Sequence, residues 1–142
     1  MLVALVAGVA LSGCASREPY ARPLGPEAAR RDLTRGFDEA VALAAEGRYD
    51  AAAEQFARLA EMYESRLQIR TAPDAASDFD TRDLRRGRAA EAVFWLGYCR
   101  EKQGLTDGAA ALYRRVIEEY GDMPAARQAR LRLGHLEGRP SP

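Results

Sequence analysis

The side chains best suited to chemistry in this chain are Cys14, Cys99 and a single histidine, His135. One imidazole has no second imidazole with which to share a metal ion or form a relay, and two cysteines provide neither a disulfide framework nor a zinc cluster. We therefore expect no metal site and interpret His135 as a solvated or packed helix residue. Arg100 could lower the pKa of its neighbour Cys99, but we favour a small, half-buried thiol.

The other polar residues form no recognisable catalytic constellation. None of the five serines lies in a nucleophile-elbow sequence. The carboxylates are spaced like helix-surface charges beside arginines. We therefore predict that the protein is not an enzyme and requires no cofactor.

A basic cluster precedes the central helical segment and consists of Arg82, Arg85, Arg86 and Arg88. Such a cluster could meet anionic lipid headgroups or an acidic partner. Because aspartates are interleaved with these arginines, we favour a solvated helix face.

Cys14 follows an apolar run at residues 2–11. This run is too short to span a bilayer as a helix, which needs about 20 residues, but its length is typical of the apolar region of a signal peptide. The sequence Leu11-Ser12-Gly13-Cys14 resembles the lipobox of bacterial lipoproteins. The resemblance implies cleavage before Cys14 and a covalent lipid on its thiol, with residues 1–13 as the signal peptide.

The residues around the lipobox bear on where such a protein would reside. Ala15 stands where the family's inner-membrane retention signal has aspartate, and the resemblance therefore implies a lipid-anchored protein of the outer membrane, facing the periplasm. No Lys or Arg precedes the apolar run, although signal peptides normally begin with a positive segment. The true start could lie upstream of Met1, or the run could be an apolar tail with a chance cysteine.

Length and charge restrict the remaining classes. The 142 residues suffice for one domain with a modest core. Basic and acidic residues balance at 21 each, which argues against nucleic acid as a partner because phosphate binding needs a basic excess. Abundant alanine with sparse valine and isoleucine favours helices over strands.

Proline-rich residues 14–32 are predicted to be a lipidated linker, and residues 138–142 a disordered tail. Between them, residues 33–137 show the apolar period of helices. Gly47 and Gly104 stand where helices should stop, with Asp50 and Thr106 or Asp107 placed to cap the next ones.

The decisive pattern is an internal repeat. Residues 47–63 (GRYDAAAEQFARLAEMY) align without gaps to residues 104–120 (GLTDGAAALYRRVIEEY). Two unrelated helices would share an apolar stripe, but not the turn glycine and the aspartate that follows it as well. The alignment therefore predicts two copies of one structural unit.

These residues resemble the tetratricopeptide repeat, a helix–turn–helix unit of 34 residues. The family's small residues match Ala40 and Gly97 in the first helix, and Ala52 and Ala109 in the second. Its second-helix aromatic matches Phe56 and Tyr113. We therefore predict an all-α solenoid of about two repeats plus a C-terminal helix, interrupted by an insert at about residues 66–88.

In that family the first helices line a groove for partner proteins. The groove residues implied here are Phe37, Val41, Glu91, Phe94, Tyr98, Glu101, Lys102, Gln128, Leu131 and His135. Phe94 and Tyr98, one helical turn apart, could form an aromatic platform for a peptide. The alternative is that both pack against the insert or a neighbouring helix.

Similar repeats occur in envelope scaffolds of the BamD, CpoB and pilotin types. The resemblance implies a membrane-anchored adaptor that binds envelope proteins or peptides in outer-membrane assembly, secretion or pilus machinery. A lipoprotein tethering the outer membrane to the cell wall, with no defined protein client, is the alternative. Because so short a solenoid leaves apolar surface at its ends, we also expect self-association or a partner there.

Overall fold

Alternating helical segments and turns build the whole architecture. The computed structural model describes residues 26–68 and 77–138, with side chains over 34–68 and 82–138. Within these ranges the chain forms five helices and no strand. They are α1 (Pro26–Ala45), α2 (Tyr49–Gln68), α3 (Ser77–Lys102), α4 (Thr106–Glu119) and α5 (Pro124–Leu136). The prediction of an all-α helical repeat is confirmed.

The helices pack in chain order as two antiparallel pairs followed by a single helix. The pair α1–α2 lies against α3, α3 pairs with α4, and α5 packs on both α3 and α4. Side-chain contacts join α1 to α3 and α2 to α4 as well. Helices α1, α3 and α5 therefore form one side of the molecule, hereafter the first-helix face.

Two identical turns set this alternation. Gly47 and Gly104 adopt positive φ angles of 77° and 78°, a conformation that glycine enters without steric cost. In both turns the glycine N–H donates to a carbonyl three residues back, and the next N–H donates to a carbonyl five residues back. This is the Schellman arrangement that satisfies the last carbonyls of a helix. The predicted glycine stops are confirmed.

The cap predictions were less accurate. The N-cap of α4 is Leu105, which has no side-chain capping bond, so Thr106 and Asp107 lie inside the first turn. Asp50 is also in the first turn of α2, where its carboxylate accepts a hydrogen bond from the Gln103 amide at 2.5 Å. Pro124 occupies the first turn of α5, where its missing N–H leaves no intrahelical hydrogen bond unmade.

Helix α1 begins earlier than we predicted. It starts at Pro26, inside residues 14–32, whose role as a lipidated linker stays a prediction. Gly36 does not end the helix, because α1 and α2 approach closely there: a Cβ on Gly36 would lie 3.4 Å from Leu59. Packing thus offsets the cost of about 1 kcal/mol for glycine inside a helix.

The predicted insert mainly lengthens two helices. Its first residues continue α2 to Gln68, and its last residues belong to α3, which begins at Ser77. Residues 69–76 lie outside the described part of the chain. So do the predicted signal peptide, residues 14–25 of the linker, and residues 139–142 of the tail.

The core consists of alanines between helices and aromatic rings beside them. Ala52 and Ala109 are fully buried, as are Phe56 and Tyr113. Gly97 fits directly under Tyr113, since a Cβ there would lie 2.9 Å from its ring. The small and aromatic positions inferred from the repeat therefore do the packing that the sequence implied.

Candidate functional site

Two of the predicted groove residues belong to the core instead. Phe37 is 6 % exposed and packs edge-on against Phe56, with ring centroids 5.5 Å apart. Phe94 is 7 % exposed and packs against Trp95 and Tyr113. Their assignment to a partner-binding groove is therefore corrected. For Phe94, packing against neighbouring helices is what the structure shows.

The other predicted groove residues retain accessible surface. Val41, Glu91 and Tyr98 are half-buried, and Glu91 accepts a hydrogen bond from Arg88 at 2.8 Å. Lys102 on α3 is exposed, as are three residues of α5, namely Gln128, Leu131 and His135. The accessible part of the predicted set therefore spans all three helices of the first-helix face.

Three half-buried aromatic side chains form a continuous surface on this side of the molecule. Trp95 and Tyr98 of α3 meet edge-on with centroids 5.4 Å apart, and Tyr49 of α2 contacts Tyr98 at 6.5 Å. Trp95 also stacks on the buried Phe56 at 5.8 Å. We call Tyr49, Trp95 and Tyr98 the aromatic surface. Contacts with the core on the interior side of this surface hold its rings in place.

Two cations lie over the ring of Tyr98. The Lys102 ammonium is 5.3 Å from the ring centroid, and the Arg132 guanidinium from α5 is 5.0 Å away. Each such contact contributes about 0.5–1 kcal/mol at an exposed site. Arg132 is also paired with Glu101 at 3.1 Å, whereas no carboxylate within the described side chains pairs with Lys102. Lys102 therefore brings an uncompensated positive charge to the aromatic surface.

Glu101 acts as a link between helices. One of its oxygens accepts a hydrogen bond from the Tyr113 hydroxyl at 2.8 Å, and the other accepts one from Arg132. Burial, together with the bond to Glu101, raises the pKa of Tyr113. Because both Glu101 oxygens are engaged, its expected role in binding a partner is replaced by a structural one that joins α3, α4 and α5.

Sequence reasoning missed Tyr49, Trp95 and Arg132. Trp95 lies three residues before Tyr98 and seven before Lys102, a spacing that places all three on one side of a helix. That spacing is visible in the sequence. Tyr49 and Arg132 lie on other helices, so only the tertiary structure reveals that they meet Tyr98.

The remaining reactive candidates have structural roles. Cys99 is fully buried, and burial raises its pKa to about 11 despite the opposing effect of Arg100. A thiol with so high a pKa is almost entirely protonated at neutral pH and is a poor nucleophile. Across the described residues, no group of three or more histidine, cysteine, aspartate or glutamate side chains could hold a metal ion.

The basic cluster is partly turned inward. Arg86 donates to Asp122 at 2.6 Å and to the Glu119 carbonyl at 3.2 Å, and its contact lowers the pKa of Asp122. Arg88 lies over the ring of Phe37 at 5.0 Å. These arginines connect α3 to the α4–α5 turn and to α1, so the cluster is neither simply a solvated face nor a free cationic patch.

None of the helices in the described ranges is both long enough and apolar enough to cross a bilayer. The lipobox residues lie outside these ranges, so lipidation of Cys14 stays a prediction.

Comparison with known proteins supports the repeat assignment. Residues 91–122 match the family described as the tetratricopeptide repeat. The matched residues include Gly97, Ala109 and Tyr113, three of the positions assigned to the repeat from the sequence. No curated protein and no solved structure matched the chain. The match covers residues 91–122 and lies within the all-helical fold, so it supports a tetratricopeptide-like helix pair formed by α3 and α4.

Proposed function

We propose that this chain is a lipid-anchored adaptor of the bacterial cell envelope and that it binds peptide segments of partner proteins through its first-helix face. The observation that carries the proposal is the aromatic surface of Tyr49, Trp95 and Tyr98 beside the unpaired Lys102. Aromatic rings fixed by a core lose little entropy on binding, and such residues are enriched in the energetic centres of interfaces.

The surface is suited to a chain segment rather than to a small molecule. Its three rings belong to α2 and α3, and Arg132 of α5 lies over Tyr98, so the surface joins side chains of three helices. Peptide grooves in helical proteins combine apolar contacts with a few charges at the margin. Lys102 provides such a charge, and the half-buried rings provide the apolar contact.

The anchor rests on the sequence alone. Small residues before Cys14 and the apolar run at residues 2–11 are the features that support lipidation. A domain with no recognisable catalytic group and a repeat fold typical of protein binding is more consistent with a docking surface at a membrane than with an enzyme. Outer-membrane assembly, secretion and pilus machines are the envelope systems in which such a surface would serve.

The binding surface can be tested by site-specific photocrosslinking in cells. A photoreactive residue at position 102 should give discrete crosslinked proteins, and the matched control at the exposed Glu118 of α4 should give none. A Tyr98→Ala variant that stays folded should lose the crosslinks from position 102. Equal crosslinking from positions 102 and 118, or crosslinks insensitive to Tyr98→Ala, would count against a partner site on the first-helix face.

The anchor needs a separate measurement, namely mass spectrometry of the mature N-terminus. We expect an acylated Cys14 as first residue, and a Cys14→Ser variant that is neither cleaved nor acylated. Recovery of an intact, unmodified N-terminus would refute lipidation while leaving the binding surface untouched. Recovery of the acylated protein with peptidoglycan and no discrete protein would instead favour the tether.

A further inference from the structure

The two ends of the helical stack carry opposite charge. Residues 26–68, which hold α1 and α2, contain nine acidic and six basic residues, a net charge of −3. Helix α5 at the other end contains three arginines and no acidic residue; Arg132 is paired with Glu101 of α3, which leaves Arg127 and Arg130 to carry the positive charge of this end. The whole chain is neutral, so this charge separation along the stack is invisible in the overall composition.

The α5 end presents an apolar side chain among arginines. Leu131 is 44 % exposed, and Arg127 and Arg130 beside it are exposed. A Cβ on Gly134 would have no neighbouring atom within 4 Å, whereas a Cβ on Gly97 of α3 would lie 2.9 Å from the Tyr113 ring. Within residues 26–68 and 77–138, Leu131 and the space beside Gly134 are therefore left uncovered on α5.

The α1–α2 end presents an apolar depression of about 230 Å³. It is lined by Gly36, Glu39, Gln55, Arg58, Leu59 and Met62. The α2 residues in this set lie on a different side of the helix from Phe56, whose ring stacks on Trp95 of α3. Glu39 brings a negative charge to the depression. The positive charge of Arg58 is offset by Glu54, four residues before it, and by Glu61, three residues after it on the same helix.

We propose that copies of this chain associate head to tail, with the Leu131 side of α5 in one copy packed into the α1–α2 depression of the next. Repeat units of this kind bury their apolar faces by stacking on neighbours, and the acidic first pair attracts the arginine-bearing last helix. The two contacting surfaces differ, so the interface is heterologous and adds copies without a fixed end point. This association does not use the aromatic surface or the lipid, but it does use Leu131, one of the predicted groove residues.

Complementary charge reversal tests the proposal on the full chain in detergent micelles. The protein mass per particle, from light scattering after size exclusion, should at least double for the wild type as concentration rises. The double variant Arg127→Glu, Arg130→Glu should remain monomeric. The double variant Glu39→Arg, Glu54→Arg should remain monomeric as well. An equimolar mixture of the two reversed variants should associate again, because each then offers the charge that the other lacks.

A damaged fold could not restore association when the two variants are mixed. Circular dichroism of each variant separately checks that it is folded. Matched reversals away from both ends, Arg82→Glu and Glu118→Arg, should associate like the wild type. A wild type that stays single at every concentration would overturn the proposal. So would reversed variants that associate unaided, or a mixture that does not associate.

Discussion

The two copies of the repeat, residues 47–63 and 104–120, share their turns but use the same aromatic position differently. In the first copy Phe56 is a purely apolar wedge between Phe37 and Trp95. In the second copy Tyr113 fills the equivalent space against Phe94, and its hydroxyl donates to Glu101, which also binds Arg132 of α5. Phe56 thus only packs its helix pair, whereas Tyr113 packs its own pair and also links that pair to α5.

The small residue that the repeat places in the preceding helix also differs between the two copies. In the helix that precedes the first copy this position is the fully buried Ala40, whereas in the helix that precedes the second it is Gly97, directly beneath the Tyr113 ring. The second copy is therefore the more closely packed, and it is the copy that lies within the family match at residues 91–122. Closeness of packing and polar linkage occur together, because the ring must sit deep to bring its hydroxyl to Glu101.

The largest expected effect is removal of either aromatic. Phe56→Ala and Tyr113→Ala should each lower the free energy of unfolding by about 3–5 kcal/mol, because both side chains are fully buried. Urea denaturation followed by circular dichroism would measure this. Leu105→Ala, at a leucine that is 51 % exposed, is the control and should stay within about 0.5 kcal/mol. A loss below 1 kcal/mol at Phe56 would refute its role as the wedge of the first copy.

A smaller effect isolates the polar link of the second copy. Tyr113→Phe should cost about 1.5–3 kcal/mol, the contribution of a hydrogen bond to a charged group. Tyr98→Phe is the matched control on the same face and should change little. If both variants unfold at the same urea concentration as the wild type, the hydroxyl link does not distinguish the two copies.

The difference in packing predicts opposite outcomes for two glycines. Gly97→Ala should destabilise by about 1–3 kcal/mol, because its new Cβ would overlap the Tyr113 ring. Gly134→Ala, with open space around its Cβ, should stabilise by about 0.4–1 kcal/mol. Thermal melts of the two variants should move in opposite directions. A stabilising Gly97→Ala would mean that the second copy packs no more tightly than the first.

The smallest expected effect comes from the ionisation of two buried tyrosines and can be measured only at alkaline pH. Burial, assisted by bonds to Glu101 and Glu64, raises the pKa of both Tyr113 and Tyr120 above the usual value of 10.0. A raised pKa in the folded state leaves its stabilising contribution intact below pH 10 and removes it as the pH climbs further. Urea midpoints should therefore stay level to about pH 10 and then fall. The double variant Tyr113→Phe, Tyr120→Phe should fall less steeply, and an unchanged slope would contradict this assignment.

Sequence reasoning succeeded where a single residue type determines local geometry. Gly47 and Gly104 end their helices because they can adopt positive φ, and the repeat alignment located Phe56 and Tyr113 in the core. The helix class followed from composition and period. These features depend on neighbours within one or two turns of chain, which the sequence displays directly.

The candidate site was predicted less well, because it depends on which helix covers which. Period alone places Phe94 on a stripe beside Tyr98, but not beneath Tyr113 of another helix. The engagement of Glu101 by Arg132 joins residues 31 positions apart. Trp95 was identifiable from spacing, whereas Tyr49 and Arg132 reach Tyr98 only through the packing of other helices.

Glu64 has a consequence for how the molecule opens. Its Oε1 accepts hydrogen bonds from Arg115 at 2.7 Å and from the Tyr120 hydroxyl at 3.0 Å, so α2 is bonded to α4 across α3. Repeat arrays commonly unravel from their ends because each unit contacts only its neighbours. A bond that skips one helix couples the three it spans, so α2, α3 and α4 should lose structure together while α1 and α5 fray first. Amide hydrogen exchange would then show two rates, fast at the outer helices and slow in the middle three, and Glu64→Gln should bring the two rates closer.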